Sequence, residues 1–405
     1  MTTDSNRSKL TTLLTVTFLL PYFLYRSSSP LPTFGLYSIM LPLELFLLYL
    51  IFTTEMLVEI STPGSALTRV KYAAGLLLVF LLLFLHSLGM QLYYEDGNIF
   101  GQLLNLVRLI GYIFATAIFA RFYFDFRVFQ RVLFSLSFWF SLVALSIYYY
   151  DPLFFSDSGY GVPRPKFLFS EPSALAPVVT FLFCMSIIKK NLLGVLISVF
   201  LIFHLSSGVV VLVLASTLMA WSLTLNKTTL AIIALLILAF FFMVVLPQIE
   251  GSYLYSRIAS AFVNTDFDKM SGGTARLVTL FNLAGELLQD ERVIFGRGFN
   301  TAKVYFGQQW EFREFGLIHF YLFSFGVLGV VGLFVVVLFV IRRIYKQKHT
   351  ELLIMAVPFI MASLLNSAQG TVLHKFAYLF IFVVLFRSVK PALRDMEVSW
   401  CEKAR

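Results

Sequence analysis

The chain has 405 residues, of which 59% are hydrophobic and 13% are charged, and its mean hydropathy is +0.84. A soluble domain is about half apolar and about a quarter charged, so a water-soluble fold would not hide this much apolar surface. The net charge of +9 comes from Lys and Arg that fall mostly in short loops, which indicates membrane topology rather than nucleic-acid binding. The two cysteines, Cys184 and Cys401, predict neither a disulfide nor a metal site.

Apolar stretches long enough to cross a membrane recur along the whole chain. A helix needs about 20 apolar residues to span the hydrocarbon core. The sequence predicts about twelve such helices, at about 10–25, 34–53, 72–93, 99–120, 128–150, 172–188, 191–205, 208–225, 229–246, 317–341, 351–366 and 372–388. As one helix, 191–225 would be about 50 Å long, so we expect a hairpin broken at Ser206, Ser207 and Gly208. The predicted fold class is an all-α integral membrane protein.

The positive charges fix the predicted orientation of these helices. With twelve spans, the clusters around Arg7, Arg69, Arg127, Lys189 and Arg342 fall on one side, together with the C-terminal tail. The positive-inside rule makes that side the cytoplasm, so both termini are expected there. We therefore expect three units, which are the first nine transmembrane helices (1–246), a large outer loop (247–316), and the last three helices with a cytoplasmic tail (317–405).

Two predicted outer loops contain more Lys and Arg than is usual for the outer loops of membrane proteins. The large loop is expected to be partly helical, with an amphipathic helix over 275–288, and to fold over the outer mouth of the bundle. Guanidinium groups recognise phosphate in a bidentate manner, so the set of cations predicts anion binding. The alternative is that they pair with acidic residues of the loop or contact lipid headgroups. The candidates are Arg276, Arg297 and Arg313 in the large loop, and Arg164 and Lys166 in the shorter one.

Two ionisable residues near the outer ends of spans are candidate catalytic groups. His319 is expected about one turn inside the tenth span, where an ionisable side chain is costly and is often functional. Its alternative is a hydrogen-bonded histidine within the bundle. Glu171 precedes Pro172 at the start of the sixth span, and it is either a helix-start residue or a catalytic or acceptor-binding carboxylate. Lys375 is expected at the outer interface of the last span.

Three motifs between residues 164 and 329 resemble those of one family. Residues 316–321 (GLIHFY) and 325–329 (FGVLG) resemble the "H-N-x-Y … G-x-x-G" segment of the O-antigen ligase and polymerase superfamily, with Phe320 where Asn is common. Residues 272–276 (GGTAR) and 293–299 (VIFGRGF) resemble its "G-x-x-R … G-x-G-F" loop. Residues 164–173 (RPKFLFSEPS) resemble the "R-x-x-G-L-F-x-E-P" motif of Wzy-type polymerases.

The resemblance implies a GT-C-like glycosyltransferase in the bacterial inner membrane, with its active site facing the periplasm. The donor and the acceptor would be glycans on undecaprenyl diphosphate, and transfer would invert C1 without metal or other cofactor. His319 and Glu171 would be catalytic, and the five cations named above would bind substrate. The expected partners are the lipid bilayer and a chain-length regulator protein, not nucleic acid.

Two other functions fit the same sequence. An O-antigen ligase would use the same chemistry but transfer the glycan to lipid A-core. A transporter or lipid flippase would be a non-enzyme, but transporters often contain internal repeats and ionisable residues distributed through the bundle. This sequence shows neither feature clearly, and its charged residues gather in the outer loops instead. We therefore favour the polymerase.

Overall fold

The computed structural model describes residues 2–24, 119–151, 172–205, 208–223, 294–296, 316–365 and 370–386, with isolated helical positions at 81–90 and 113–117. These residues form helices and turns and contain no strand, which confirms the all-α prediction for this part of the chain. A π-helical turn, Phe119–Tyr123, precedes the second helix. The helices are α1 (Thr2–Leu24), α2 (Phe126–Tyr150), α3 (Pro172–Ile188), α4 (Leu192–Leu205), α5 (Gly208–Ser222), α6 (Gly316–Lys346), α7 (Thr350–Leu365) and α8 (Gly370–Phe386).

Two of the described helices are long and apolar enough to cross a membrane. They are α2, with 25 residues, and the section Ser324–Lys346 of α6, with 23 residues. Only 22% and 28% of their apolar windows are buried, unlike the core helix of a soluble protein. Large side chains such as Leu328, Val335 and Leu338 are exposed on α6, as expected of a surface that faces lipid. The predicted spans at 34–53 and 229–246 lie outside the described residues.

Short turns arrange the helices as antiparallel neighbours. Lys189 and Lys190 form the turn between α3 and α4, and residues 347–349 connect α6 to α7. Helices α4 and α5 are separate, and α5 packs along α3 and α7, so the chain folds back after Leu205. The hairpin predicted for 191–225 is therefore confirmed. Helix α7 packs against both α6 and α8, which makes α6 and α8 parallel to each other.

Aromatic packing joins the first helix to the last two. The Tyr22 hydroxyl donates to the Ala174 carbonyl oxygen at 2.6 Å, which ties α1 to the start of α3. The rings of Phe359 and Phe376 stack at 4.4 Å, and the Tyr22 ring meets Phe376 edge-on at 5.0 Å. Such pairs add about 0.5–1.5 kcal/mol each beyond the area that they bury. Helices far apart in sequence therefore share one core.

The bundle has two ends with different charge, which we name by one residue each. At the Glu351 end, α2 and α7 begin and α3 and α6 end, and Gln130 contacts Glu351 there. At the Tyr321 end, α6 and α8 begin, and Tyr321 contacts Tyr378. Among the described residues, every Lys and Arg except Lys375 lies at the Glu351 end; these are Arg7, Lys9, Arg121, Arg127, Arg131, Lys189, Lys190, Arg342, Arg343, Lys346 and Lys348.

Candidate functional site

Helix α6 is broken at Gly326. This residue has φ 67° and ψ −161°, a conformation essentially confined to glycine. Unbroken, 31 helical residues would be about 46 Å long, more than one crossing needs. The break leaves a short first segment that begins at Gly316 and a second segment of membrane-spanning length. His319 lies in the first segment, so the predicted continuous span at 317–341 is wrong at its start.

Part of the predicted outer loop, Ile294–Gly296, lies against this break. The Leu328 amide donates to the Ile294 carbonyl oxygen at 3.5 Å, which gives an acceptor to an N–H group that the break separates from its helical partner. Gly296 has φ 75°, and a Cβ added there would lie 2.5 Å from the Gly326 nitrogen. The two backbones therefore approach as closely as two glycines allow.

His86, from a third part of the chain, completes this contact. Its ring lies 5.6 Å from the Phe325 ring, and it hydrogen-bonds the backbone of Phe295. Its buried Nδ1 atom has no hydrogen-bond partner among the described residues. The sequence placed His86 inside a predicted span, at 72–93, but nothing in its surroundings there indicated a contact with the loop. Three segments that are distant in sequence thus meet at one helix break.

A pair of tyrosines connects the break to the last helix. The hydroxyl oxygens of Tyr321 and Tyr378 are 3.3 Å apart, and the Tyr321 ring lies 5.6 Å from the Phe325 ring. Tyr378 is buried in the contact between α6 and α8. The pair fixes the register of these two parallel helices near the point where both begin. Through the contact of Tyr321 with Phe325, the pair also connects the region of the docked loop to α8.

Lys375 lies one turn before Tyr378 on α8. Its side chain is only 4% exposed, so within the bundle it is buried, and its predicted position at the outer interface of the last span stays a prediction. Its neighbour Phe376 packs into the aromatic core described above. Burying an ammonium group in a low-dielectric bundle is costly, and ionisable residues at such positions tend to be functional. The hydrophobicity of 372–388 favours a span but does not show how deeply Lys375 is buried.

Most of the predicted site residues lie outside the described part of the chain. His319 is placed by its helix seven residues before the break, and Arg297 directly follows the docked Gly296. The structure thus brings the immediate sequence neighbourhoods of these two residues to the same end of the bundle. Arg297 itself, the predicted amphipathic helix at 275–288 and the other predicted site residues lie outside the described residues; those other residues are Arg164, Lys166, Glu171, Arg276 and Arg313.

Sequence reasoning missed the break and misread its glycines. The spacing of Gly326, Gly329 and Gly332 predicts a packing surface for a neighbouring helix. Gly326 instead breaks the helix, and a Cβ added at Gly332 would meet nothing within 4 Å. The useful signal was the length of α6 together with a glycine about one third of the way along it. Neither signal identifies the loop segment that docks there.

No known family model matches the chain, and no curated protein sequence matches it.

Proposed function

We propose that the chain is a membrane glycosyltransferase that polymerises oligosaccharide repeat units carried on undecaprenyl diphosphate. The observation that supports this proposal most is the docking of Ile294–Gly296 on the break in α6. It puts the loop segment that leads into Arg297 beside the helix that carries His319. A cation for a phosphate and a base for a sugar hydroxyl are the two groups that such a transfer needs at one place.

In the proposed orientation, the Tyr321 end lies at the outer face of the cytoplasmic membrane. The described cations gather at the Glu351 end, which the positive-inside rule assigns to the cytoplasm. A lipid-linked glycan displayed at the outer face would then meet the docked loop and the break. The full count of about twelve spans and the location in a bacterial inner membrane belong to the same proposal.

In the proposed reaction, a hydroxyl oxygen of the acceptor sugar attacks C1 of the donor sugar from the face opposite the diphosphate. The hydroxyl proton passes to the imidazole of His319. The bond between C1 and the diphosphate oxygen breaks, and undecaprenyl diphosphate leaves with the electron pair, so that the configuration at C1 inverts. Arg164, Arg276 and Arg297 stabilise the negative charge that develops on the leaving group, because fixed cations stabilise charge most where water is excluded.

The remaining predicted residues assist binding. Lys166 and Arg313 contribute further positive charge around the diphosphate, and Glu171 anchors the acceptor glycan by accepting hydrogen bonds from its hydroxyl groups. A carboxylate accepts hydrogen bonds from sugar hydroxyl groups, which suits the role of an anchor. His319 must be neutral to accept the proton, since a base needs a free imidazole nitrogen.

A transporter is the second candidate, because broken helices near the middle of a bundle also form substrate sites in transporters. The break at Gly326 is the observation that favours it. The two proposals differ in covalent chemistry, since a transporter moves the lipid-linked glycan across the membrane without forming a glycosidic bond.

The test is a reaction of the purified full chain, in lipid nanodiscs, with an undecaprenyl-diphosphate-linked repeat unit. The polymerase proposal predicts a ladder of longer lipid-linked glycans and release of undecaprenyl diphosphate. A second reaction adds lipid A-core, and glycan transfer to that acceptor in place of chain growth would assign a ligase. A third places the protein in liposomes, where movement of the lipid-linked glycan with no new bond would assign a transporter and overturn the proposal.

A further inference from the structure

Lys375 is the cation that departs from the charge pattern of the described helices. All the other described Lys and Arg lie at the Glu351 end, while Lys375 lies near the start of α8 at the Tyr321 end. A lysine placed for topology would be expected among the others. The position of Lys375 therefore points to a purpose other than orientation.

The burial of Lys375 strengthens this reasoning. Its side chain is 4% exposed, and Tyr378, one turn further along α8, is 7% exposed. Lysine can pack its methylene stem against apolar groups and keep its ammonium group at a polar site. Tyr378 lies one helical turn from Lys375, and its hydroxyl oxygen is 3.3 Å from that of Tyr321. Cation and hydroxyl groups therefore share one region between α6 and α8.

The register of the two helices puts this region level with His319. Helices α6 and α8 are parallel, and the contact between Tyr321 and Tyr378 fixes their alignment. Three residues before each tyrosine are Ile318 and Lys375, which are thus level along the bundle axis. His319 is the next residue after Ile318. The backbone therefore places Lys375 and His319 at the same depth, on adjacent helices.

We propose that Lys375 binds the diphosphate of the donor lipid beside His319, with the Tyr321 and Tyr378 hydroxyls as further hydrogen-bond donors. This inference rests on the proposed function for the identity of the lipid. The ammonium group is a compact point charge with three donors, which suits phosphate oxygens. Within the bundle it is shielded from salt, which strengthens its attraction for an anion.

The experiment measures binding of undecaprenyl diphosphate, undecaprenol and inorganic pyrophosphate to the full chain in nanodiscs. Wild type should bind undecaprenyl diphosphate more tightly than undecaprenol. Lys375→Met should weaken undecaprenyl diphosphate binding by about tenfold to hundredfold, the range expected for one charged hydrogen bond. Lys375→Arg should keep part of the affinity. Undecaprenol binding should not change in either variant.

Lys346→Met is the matched control, because Lys346 is exposed at the opposite end of α6 and should bind all probes like wild type. Lys375→Gln, which keeps a polar head, carries the same test if the Met variant does not fold, as judged by thermal melting. Normal undecaprenyl diphosphate binding by a folded Lys375 variant would overturn the inference. Pyrophosphate binding as tight as that of the lipid would also overturn it, because the ligand would then be a soluble anion.

Chain growth by the same preparations separates this inference from the proposed function. If wild type elongates glycans while the Lys375 variants bind donor normally, only the role of Lys375 is wrong. If wild type binds undecaprenyl diphosphate through Lys375 but forms no glycosidic bond, the lipid site stands and the polymerase proposal fails.

Discussion

The two ends of the bundle use polar residues in different ways. At the Glu351 end the named polar side chains hold neighbouring helices together or cap a helix. The Gln130 amide donates to Glu351 at 2.7 Å, the Lys189 ammonium lies 4.3 Å above the Phe134 ring, and His349 caps α7. At the Tyr321 end a lysine is buried and a helix is broken. A broken helix and an ionisable residue within a bundle are features of functional sites, whereas the contacts named at the Glu351 end join two helices or cap a helix.

The sharpest way to test this contrast is to remove the proposed base. His319→Ala should reduce turnover by about 10²–10⁴-fold, the usual contribution of general-base catalysis. Binding of undecaprenyl diphosphate should stay near the wild-type level if His319 takes the proton. If His319 instead binds a phosphate oxygen, the variant should lose both turnover and donor binding. His204→Ala is the control, because His204 packs against Tyr148 at the same end of the bundle. Near-normal chain growth by the His319 variant would end the proposal for this residue.

The Glu351 end should instead show its importance in stability. Glu351→Ala removes the acceptor of the Gln130 amide, which is buried, and should lower the free energy of unfolding by about 1.5–3 kcal/mol. Asp125→Ala removes an exposed cap on Val128 and should cost only about 1 kcal/mol. Melting of the detergent-solubilised protein gives both values. The contrast between the ends would be wrong if Glu351→Ala abolished chain growth at temperatures where the variant is folded.

A smaller change in stability is expected when pH is varied, because His349 titrates at the Glu351 end. His349 Nδ1 accepts a hydrogen bond from the Leu352 amide at 3.2 Å. Burial lowers the pKa of His349, and the nearby Glu351 carboxylate opposes this only partly. The folded protein thus favours neutral imidazole, so the stabilisation is present above the unfolded pKa of about 6.5 and is lost as pH falls below it.

The loss should be about 1 kcal/mol, the usual contribution of a cap. Thermal melting measured at several pH values from pH 7.5 to pH 5, across the usual pKa of histidine, provides this loss in the free energy of unfolding. His349→Asn keeps a capping side chain that does not titrate, so its stability should vary less with pH over this range. Equal pH dependence of wild type and the Asn variant would show that other groups are responsible.

In the described part of the chain the predicted helices are present, because hydrophobic length is a local property of the sequence. The hairpin after Leu205 followed from the length of 191–225 and from its flanking lysines. The docking of Ile294 on Leu328 could not be predicted, because it depends on a glycine dihedral and on a contact between distant segments. The burial of Lys375 likewise depends on its neighbours on other helices rather than on its own segment.

The central claim is that the broken helix with its docked loop forms the reactive site. Its most direct test is chain growth by Gly326→Ala beside Gly332→Ala. Alanine at position 326 is strained at φ 67°, whereas an added Cβ at position 332 meets nothing within 4 Å. We expect Gly326→Ala to lose at least about tenfold in rate, which corresponds to about 1.4 kcal/mol, and Gly332→Ala to match wild type. Equal chain growth by the two folded variants would contradict the account.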